Sequence, residues 1–200
     1  MALRLIPGYW PVYVPAAASF LGALFFYAMP DGAWRAIFAE RWSLLHFTAA
    51  PFIHAGLPHF LLNVMGLHFI GGQMVLPLVG ARRFTALFAL AAACGIAANN
   101  IFGGGVPAVG ISAAVLGMLS CSLYRFGRAP VKLLLINDLL RMRPFPLWKA
   151  AAFMAALDVA GIIFGWTLFA HWAHLAGFAA GGVWGWFAFR RPNRRRWRVH

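Results

Sequence analysis

Apolar residues run in long blocks along this chain, and polar residues gather between them. Six blocks lie at about 11–29, 57–78, 84–102, 106–124, 148–165 and 171–189. Each is close to the roughly 20 apolar residues that a helix needs to cross a bilayer. The pattern predicts an all-α integral membrane protein, a bundle of six transmembrane helices. The connections are unequal. The first, 30–56, holds Asp31, Arg35, Glu40 and Arg41 with Trp34 and Trp42, is too long for a simple turn and reads as partly amphipathic. The second holds Arg82 and Arg83, and the fourth, 125–147, holds Arg125, Arg128, Lys132, Arg141 and Arg143. The third, around 103–110, and the fifth, near 166–170, carry no charge.

Composition strengthens this reading. The 200 residues are 62% hydrophobic and only 10% charged, with a mean hydropathy of +0.75, whereas soluble domains carry about 25% charged residues. No stretch is long and polar enough for a second, soluble domain. The net charge of +13 raises the question of nucleic acid, but its placement answers it. Basic residues fill alternate connections and the end, "RRPNRRRWRVH", which is the positive-inside pattern. Arg4, the second and fourth connections and the tail then share one side, so both termini face the cytoplasm or an organelle matrix. That side attracts anionic lipid headgroups, with no nucleic-acid partner. The first block has one arginine before it and lacks a small-x-small cleavage site, so it reads as a retained helix. Cys94 and Cys121 lie in apolar blocks and read as small buried hydrophobes.

Polar groups inside a span are costly, so each needs a reason. His59 and Asn63 lie four apart on one face of the second span, with His54 just before them. Ser112 opens the fourth, His174 lies near the start of the sixth, and Asp158 is in the fifth. At 1.5 Å per residue, Ser112 is roughly 20 Å from the basic side, His174 roughly 24 Å and Asn63 at most roughly 28 Å. A core about 30 Å thick puts all three in the outer leaflet. From Ser112 onwards the fourth helix is too short to span. The preceding "GGGVPAV" must then re-enter the membrane as non-helical backbone, which is tolerated only inside protein or along a wet cavity. Ala113, Gly117 and Ser120 form one small-residue stripe, and His174, Gly177 and Gly181 another. Such faces let helices approach closely. The imidazole would then reach the hydroxyl, as a Ser–His dyad requires. The bland alternative is that the glycine faces only pack and Ser112 only caps its helix.

Over roughly residues 40–189 the sequence resembles the rhomboid intramembrane serine proteases. "FIHAGLPHFLLNVMGL" resembles their H-x4-H-x3-N signature in His54, His59 and Asn63. "GIS", Gly110 to Ser112, resembles the G-x-S nucleophile motif, and "AHLAGFAAG" resembles the last-helix motif carrying His174, Gly177 and Gly181. "ERWSLLHFTAAPFIHAG" resembles the first-loop segment. The last two spans, "ALDVAGIIFGWTLFAHWAHLAG", resemble the presenilin-associated rhomboid-like branch. The resemblance implies a serine endopeptidase that cleaves transmembrane substrates without a cofactor. Ser112 would be nucleophile and His174 base, with no third acidic member. Asn63, His59 and the Ser112 amide would hold the oxyanion, and His54, Gly110, Gly177 and Gly181 would support the site. A substrate helix would enter sideways between spans and unwind locally.

There are departures from the family pattern. Trp42-Ser43 stands where Trp-Arg is common, Ala113 follows the serine instead of glycine, and Leu116 replaces a tyrosine that stacks on the catalytic histidine. The orientation of His174 must therefore come from elsewhere. The branch's long presequence region and extra N-terminal helix have no counterpart here, which points to a bacterial inner membrane, with the mitochondrial inner membrane as alternative. The chain divides into 1–39 (first helix and start of the first loop), 40–189 (protease core) and 190–200 (basic tail). A catalytically inactive member that binds membrane clients is the main alternative function. A metal site of His54, His59, His171 and His174 lacks the H-E-x-x-H pattern of zinc proteases. A transporter would show an inverted repeat, and none is visible. Asp158 reads as a structural hydrogen-bond partner between helices, with a helper role as alternative. His46, His68 and His171 read as interfacial or packing residues, and Trp166 to Ala170 as a cap over the cavity.

Overall fold

The computed structural model describes residues 8–28, 40–131 and 144–189. Arg4, Asp31, Trp34, Arg35, Lys132, Arg141, Arg143 and the basic tail lie outside the described residues. Each of the six apolar blocks contains a helix. These are α1 (Trp10–Ala28), α3 (Leu57–Val79), α4 (Ala81–Phe102), α5 (Ser112–Phe126), α6 (Leu147–Ile163) and α7 (His171–Phe189). A short helix, α2 (Leu44–Ala49), lies in the first connection, and its first turn is capped by the Ser43 hydroxyl accepting from the His46 amide. In the fourth connection Pro130–Val131 (β1) pairs antiparallel with Phe145–Pro146 (β2). Among the described residues, α3 and α4 are long and apolar enough by themselves to cross a membrane.

The fourth block departs from its sequence outline in an informative way. The block begins near 106, yet the helix begins only at Ser112. Gly104, Gly105 and Gly110 have positive φ, which a side chain would resist. The Asn99 amide donates to the Val106 carbonyl at 2.6 Å and so holds this loop against α4. At 15 residues α5 is about 22 Å long.

This short helix is the centre of the fold. All its residues from Ala113 to Ser122 are buried. One face joins Leu67, Phe84, Leu87 and Met118 in the largest apolar cluster. Another packs Leu116 and Leu119 on Leu147 and Ala151 of α6. The small-residue face meets α7, where a Cβ on Gly181 would overlap the Gly117 carbonyl and one on Gly177 the Ala113 carbonyl. On α4, Gly95 gives room to Ala113 and to Ala173 of α7. The outer helix faces are the reverse of a soluble protein's, with Leu21, Leu62, Ile101, Phe153, Val183 and Phe187 exposed. Such extended apolar surface suits contact with lipid.

In α3 the stretch Leu67–Val75 is wound as a π-helix, a winding usually confined to single turns. Gly72 lies under the Tyr9 ring, and the Tyr9 hydroxyl donates to the His68 carbonyl at 3.3 Å. Tyr9, just before α1, is thereby fastened to α3.

Candidate active site

Ser112 is the first residue of α5, and no side chain caps that end of the helix. Two residues earlier, Gly110 has φ +88° and donates its amide to the Ala50 carbonyl at 3.1 Å. This bond ties the serine loop to the segment leading into α3. A Cβ on Gly110 would come within 2.9 Å of His59 Nε2 and 3.3 Å of Asn63 Nδ2. Only glycine meets both demands, and its bareness lets the imidazole and the amide lie beside the approach to Ser112.

The expected Ser–His contact is present. His174 Nε2 and Ser112 Oγ are 2.9 Å apart, across two helices that approach through Gly177 and Ala113. His174 Nδ1 donates to Asp158 Oδ1 at 2.9 Å. A carboxylate only accepts, so Nδ1 carries the proton and Nε2 has a lone pair to receive the serine's. The resemblance implied no acidic third member, and here one touches His174. Asp158 does link two helices, as read from the sequence, but its partners are His174 and, at 2.8 Å through the same oxygen, His171. His171 is thus corrected from a packing or interfacial residue to a buried, hydrogen-bonded one. Leu116, which the resemblance set in place of a stacking tyrosine, packs on α6. The partner of His174 Nδ1 here is the Asp158 carboxylate. Phe169, from the connection before α7, flanks both imidazoles at 6.3 and 6.0 Å between ring centres.

The oxyanion candidates are also placed together. The Ala55 amide donates to His59 Nδ1 at 3.3 Å, so Nε2 bears the hydrogen and is a donor on the Gly110 side. Asn63 is buried, and one hydrogen of its amide goes to the His59 carbonyl at 3.0 Å. A small space of about 10 Å³ adjoins Ser112, lined by Pro51, Ala92, Ala108, Ala113 and Ala173, which is the size of one water.

The four-histidine set weighed as a metal site is not what converges. Among the described residues the converging ligand atoms belong to Asp158, His171 and His174, within 4.8 Å of one another. Their spacing is that of hydrogen bonds to one carboxylate oxygen. Asn99, which holds the serine loop, carries no motif and was invisible in the sequence. His46 is buried, and Gln73 Nε2 donates to His68 Nε2 at 3.1 Å.

His54 precedes α3 and is fully buried, with Nδ1 donating to the Phe52 carbonyl at 3.2 Å and its ring edge-on to His59. Burial pushes its pKa down to about 4; nearby His59 adds to this and the Phe52 carbonyl opposes it. The unfolded value is about 6.5. Between these values the unfolded chain binds the extra proton, so stability is fully present above about 6.5 and falls as pH drops towards 4. Melting temperature in detergent should therefore fall from pH 7 to pH 4.5, and less steeply in His54→Gln. Equal slopes for the two proteins would refute this role.

With this geometry in view, the family comparisons are specific. The rhomboid domain model matches residues 40–191. The chain is 27% identical over 168 residues to the presenilin-associated rhomboid-like protein A, mitochondrial, of Danio rerio, covering 76% of this chain and 42% of that protein. It is 28% identical over 167 residues to the rhomboid protein 1, mitochondrial, of Saccharomyces cerevisiae, covering 78% of this chain and 45% of that protein. It thus spans under half the length of these relatives. Matched to the rhomboid domain over most of its length, the chain belongs to the rhomboid family, on the side of the presenilin-associated branch.

Proposed function

We propose that this protein is an intramembrane serine endopeptidase that cleaves transmembrane segments of other membrane proteins. The observation that carries the reading is the 2.9 Å approach of His174 Nε2 to Ser112 Oγ. In this mechanism His174 Nε2 takes the hydroxyl proton while Oγ bonds to the scissile carbonyl carbon. The carbonyl's π electrons move to its oxygen. His59 Nε2, Asn63 Nδ2 and the Ser112 amide donate to that oxyanion. His174 then returns its proton to the leaving nitrogen, and a water repeats the sequence to release the acyl group.

The membrane arrangement belongs to the same proposal. The six helices cross the bilayer, and the loop before Ser112 re-enters it, because a helix of about 22 Å falls short of a core of about 30 Å. Both termini lie on the basic side, against anionic lipid. Both relatives are named as mitochondrial, and of the two expected locations they favour the mitochondrial inner membrane. The test is labelling with a fluorophosphonate in detergent, in which Oγ bonds to phosphorus and fluoride leaves. Wild type should label and Ser112→Ala should not; equal labelling of the two would defeat the proposal.

The oxyanion role has its own measurement. Losing one such donor costs on the order of 10²–10³ in turnover. Asn63→Ala should lower turnover of a model transmembrane substrate with little change in melting temperature. The double variant with His59→Ala should lose less than the product of the two, since both serve one oxygen. A marked fall in melting temperature with normal turnover per folded molecule would remove Asn63 from the site.

A further inference from the structure

Asp158 is a carboxylate buried among apolar helices, with two imidazoles on one of its oxygens. An ionised carboxylate tolerates such burial only when well hydrogen-bonded. His171 and His174 lie three apart in the first turn of α7 and so share the face turned to α6. The seat of His171 is shaped for it. Gly161, three residues after Asp158, leaves the space its ring fills, and a Cβ there would overlap the ring. His171 Nε2 is buried without a partner. With Nδ1 donating to Asp158, a neutral His171 leaves only a lone pair unmatched at Nε2. A protonated one would bury an unmatched, charged N–H at Nε2 instead, a costlier arrangement. His171 is therefore a neutral donor. It fixes the carboxylate without cancelling its charge, and that charge remains for the imidazolium that forms on His174.

We propose that Asp158 is a positioning residue that holds His174 as the Nδ1–H tautomer, and that His171 positions Asp158 by donating to the same oxygen. The inference rests on the reading of Ser112 and His174 as nucleophile and base. In the acylation step the Ser112 proton goes to His174 Nε2, Nδ1 keeps its own, and Asp158 stays ionised throughout. His171 exchanges no proton.

The test uses the full chain in detergent, with two readouts: the rate of fluorophosphonate labelling, and the histidine tautomers by ¹⁵N NMR. Asp158→Asn presents an amide that no longer enforces the tautomer. The equivalent change in soluble serine proteases costs about 10⁴ in turnover. Labelling should slow by about 10³–10⁴, and His174 should shift towards the Nε2–H form. His171→Phe should slow labelling by about 10-fold or more. His171→Asn should recover most of the rate, because its amide can donate where Nδ1 did. Labelling of Asp158→Asn within about threefold of wild type, with His174 still Nδ1–H, would overturn the proposal. If Asp158→Asn fails to fold, the His171 pair decides, and equal rates for Phe and Asn would overturn it. Ser112→Ala and His174→Ala run beside these variants. Activity that survives them defeats the underlying reading, whereas indifference to Asp158→Asn alone defeats only this inference.

Discussion

Ser112→Ala and His174→Ala should each abolish cleavage of a transmembrane substrate, with a loss on the order of 10⁶ in turnover, as expected when members of a nucleophile–base unit are removed singly. The double variant should be no worse than either single one, because the two groups act as a unit. Neither change should unfold the protein. Ser112 is at the end of its helix and its neighbours Ala113 to Ser122 supply the burial. His174 meets Ser112 across a seam made mainly of glycine and alanine, and its other hydrogen-bond partner is Asp158. Melting temperature should therefore stay close to wild type in Ser112→Ala and fall moderately in His174→Ala, which leaves the buried Asp158 with His171 alone, while cleavage disappears in both. Cleavage by Ser112→Ala at the wild-type rate would refute the mechanism.

The same pair of variants separates a protease from a family member that only binds membrane clients. A client-binding role has no need for a hydroxyl held 2.9 Å from an imidazole, or for a carboxylate on the far nitrogen of that imidazole. Capture of a transmembrane client by Ser112→Ala, with cleavage by wild type, is the result that a protease gives. Equal capture with cleavage by neither protein belongs to the client-binding reading.

What could be read from the chain divides along physical lines. The six blocks located the main helices to within a few residues, except at the fourth, because helix ends in apolar sequence follow hydrophobic length. Ser112, His59, Asn63 and His174 could be set at a similar depth from local spacing, four residues apart on a helix or beside a glycine loop, whereas Gly110 and the roles of all five came from the family resemblance. The shared carboxylate was not legible. Asp158 and His171 meet only because α6 and α7 converge at one end, and their approach depends on Gly161. A single sequence states no crossing angle. The π-wound stretch Leu67–Val75 was hidden for another reason. Its residues are mostly apolar, so the hydrophobic period cannot reveal the winding, and Tyr9 touches it from the residue just before α1.

Gly177→Ala and Gly181→Ala should each cost both stability and activity, although alanine is the better helix former by about 1 kcal/mol. Neither glycine has a positive φ, so backbone conformation does not decide the outcome. The added methyl does. At Gly181 it would overlap the Gly117 carbonyl, and at Gly177 the Ala113 carbonyl. A helix carbonyl cannot rotate aside as a side-chain end can, so α7 must move away from α5. Overpacking of this kind costs about 1–3 kcal/mol or more, which exceeds the gain in helix propensity. The displacement also acts on the site, because these contacts set the distance between His174 and Ser112. A shift of about 1 Å can cost about 100-fold in rate. Gly182→Ala is the control one position along. Its methyl would lie 2.9 Å from the Ser120 hydroxyl alone, which can turn away. Melting temperature and cleavage rate should fall together in the first two variants and stay near wild type in the third. If Gly181→Ala melts and cleaves as wild type does, the close α5–α7 seam does not exist, and the placement of His174 against Ser112 loses its support.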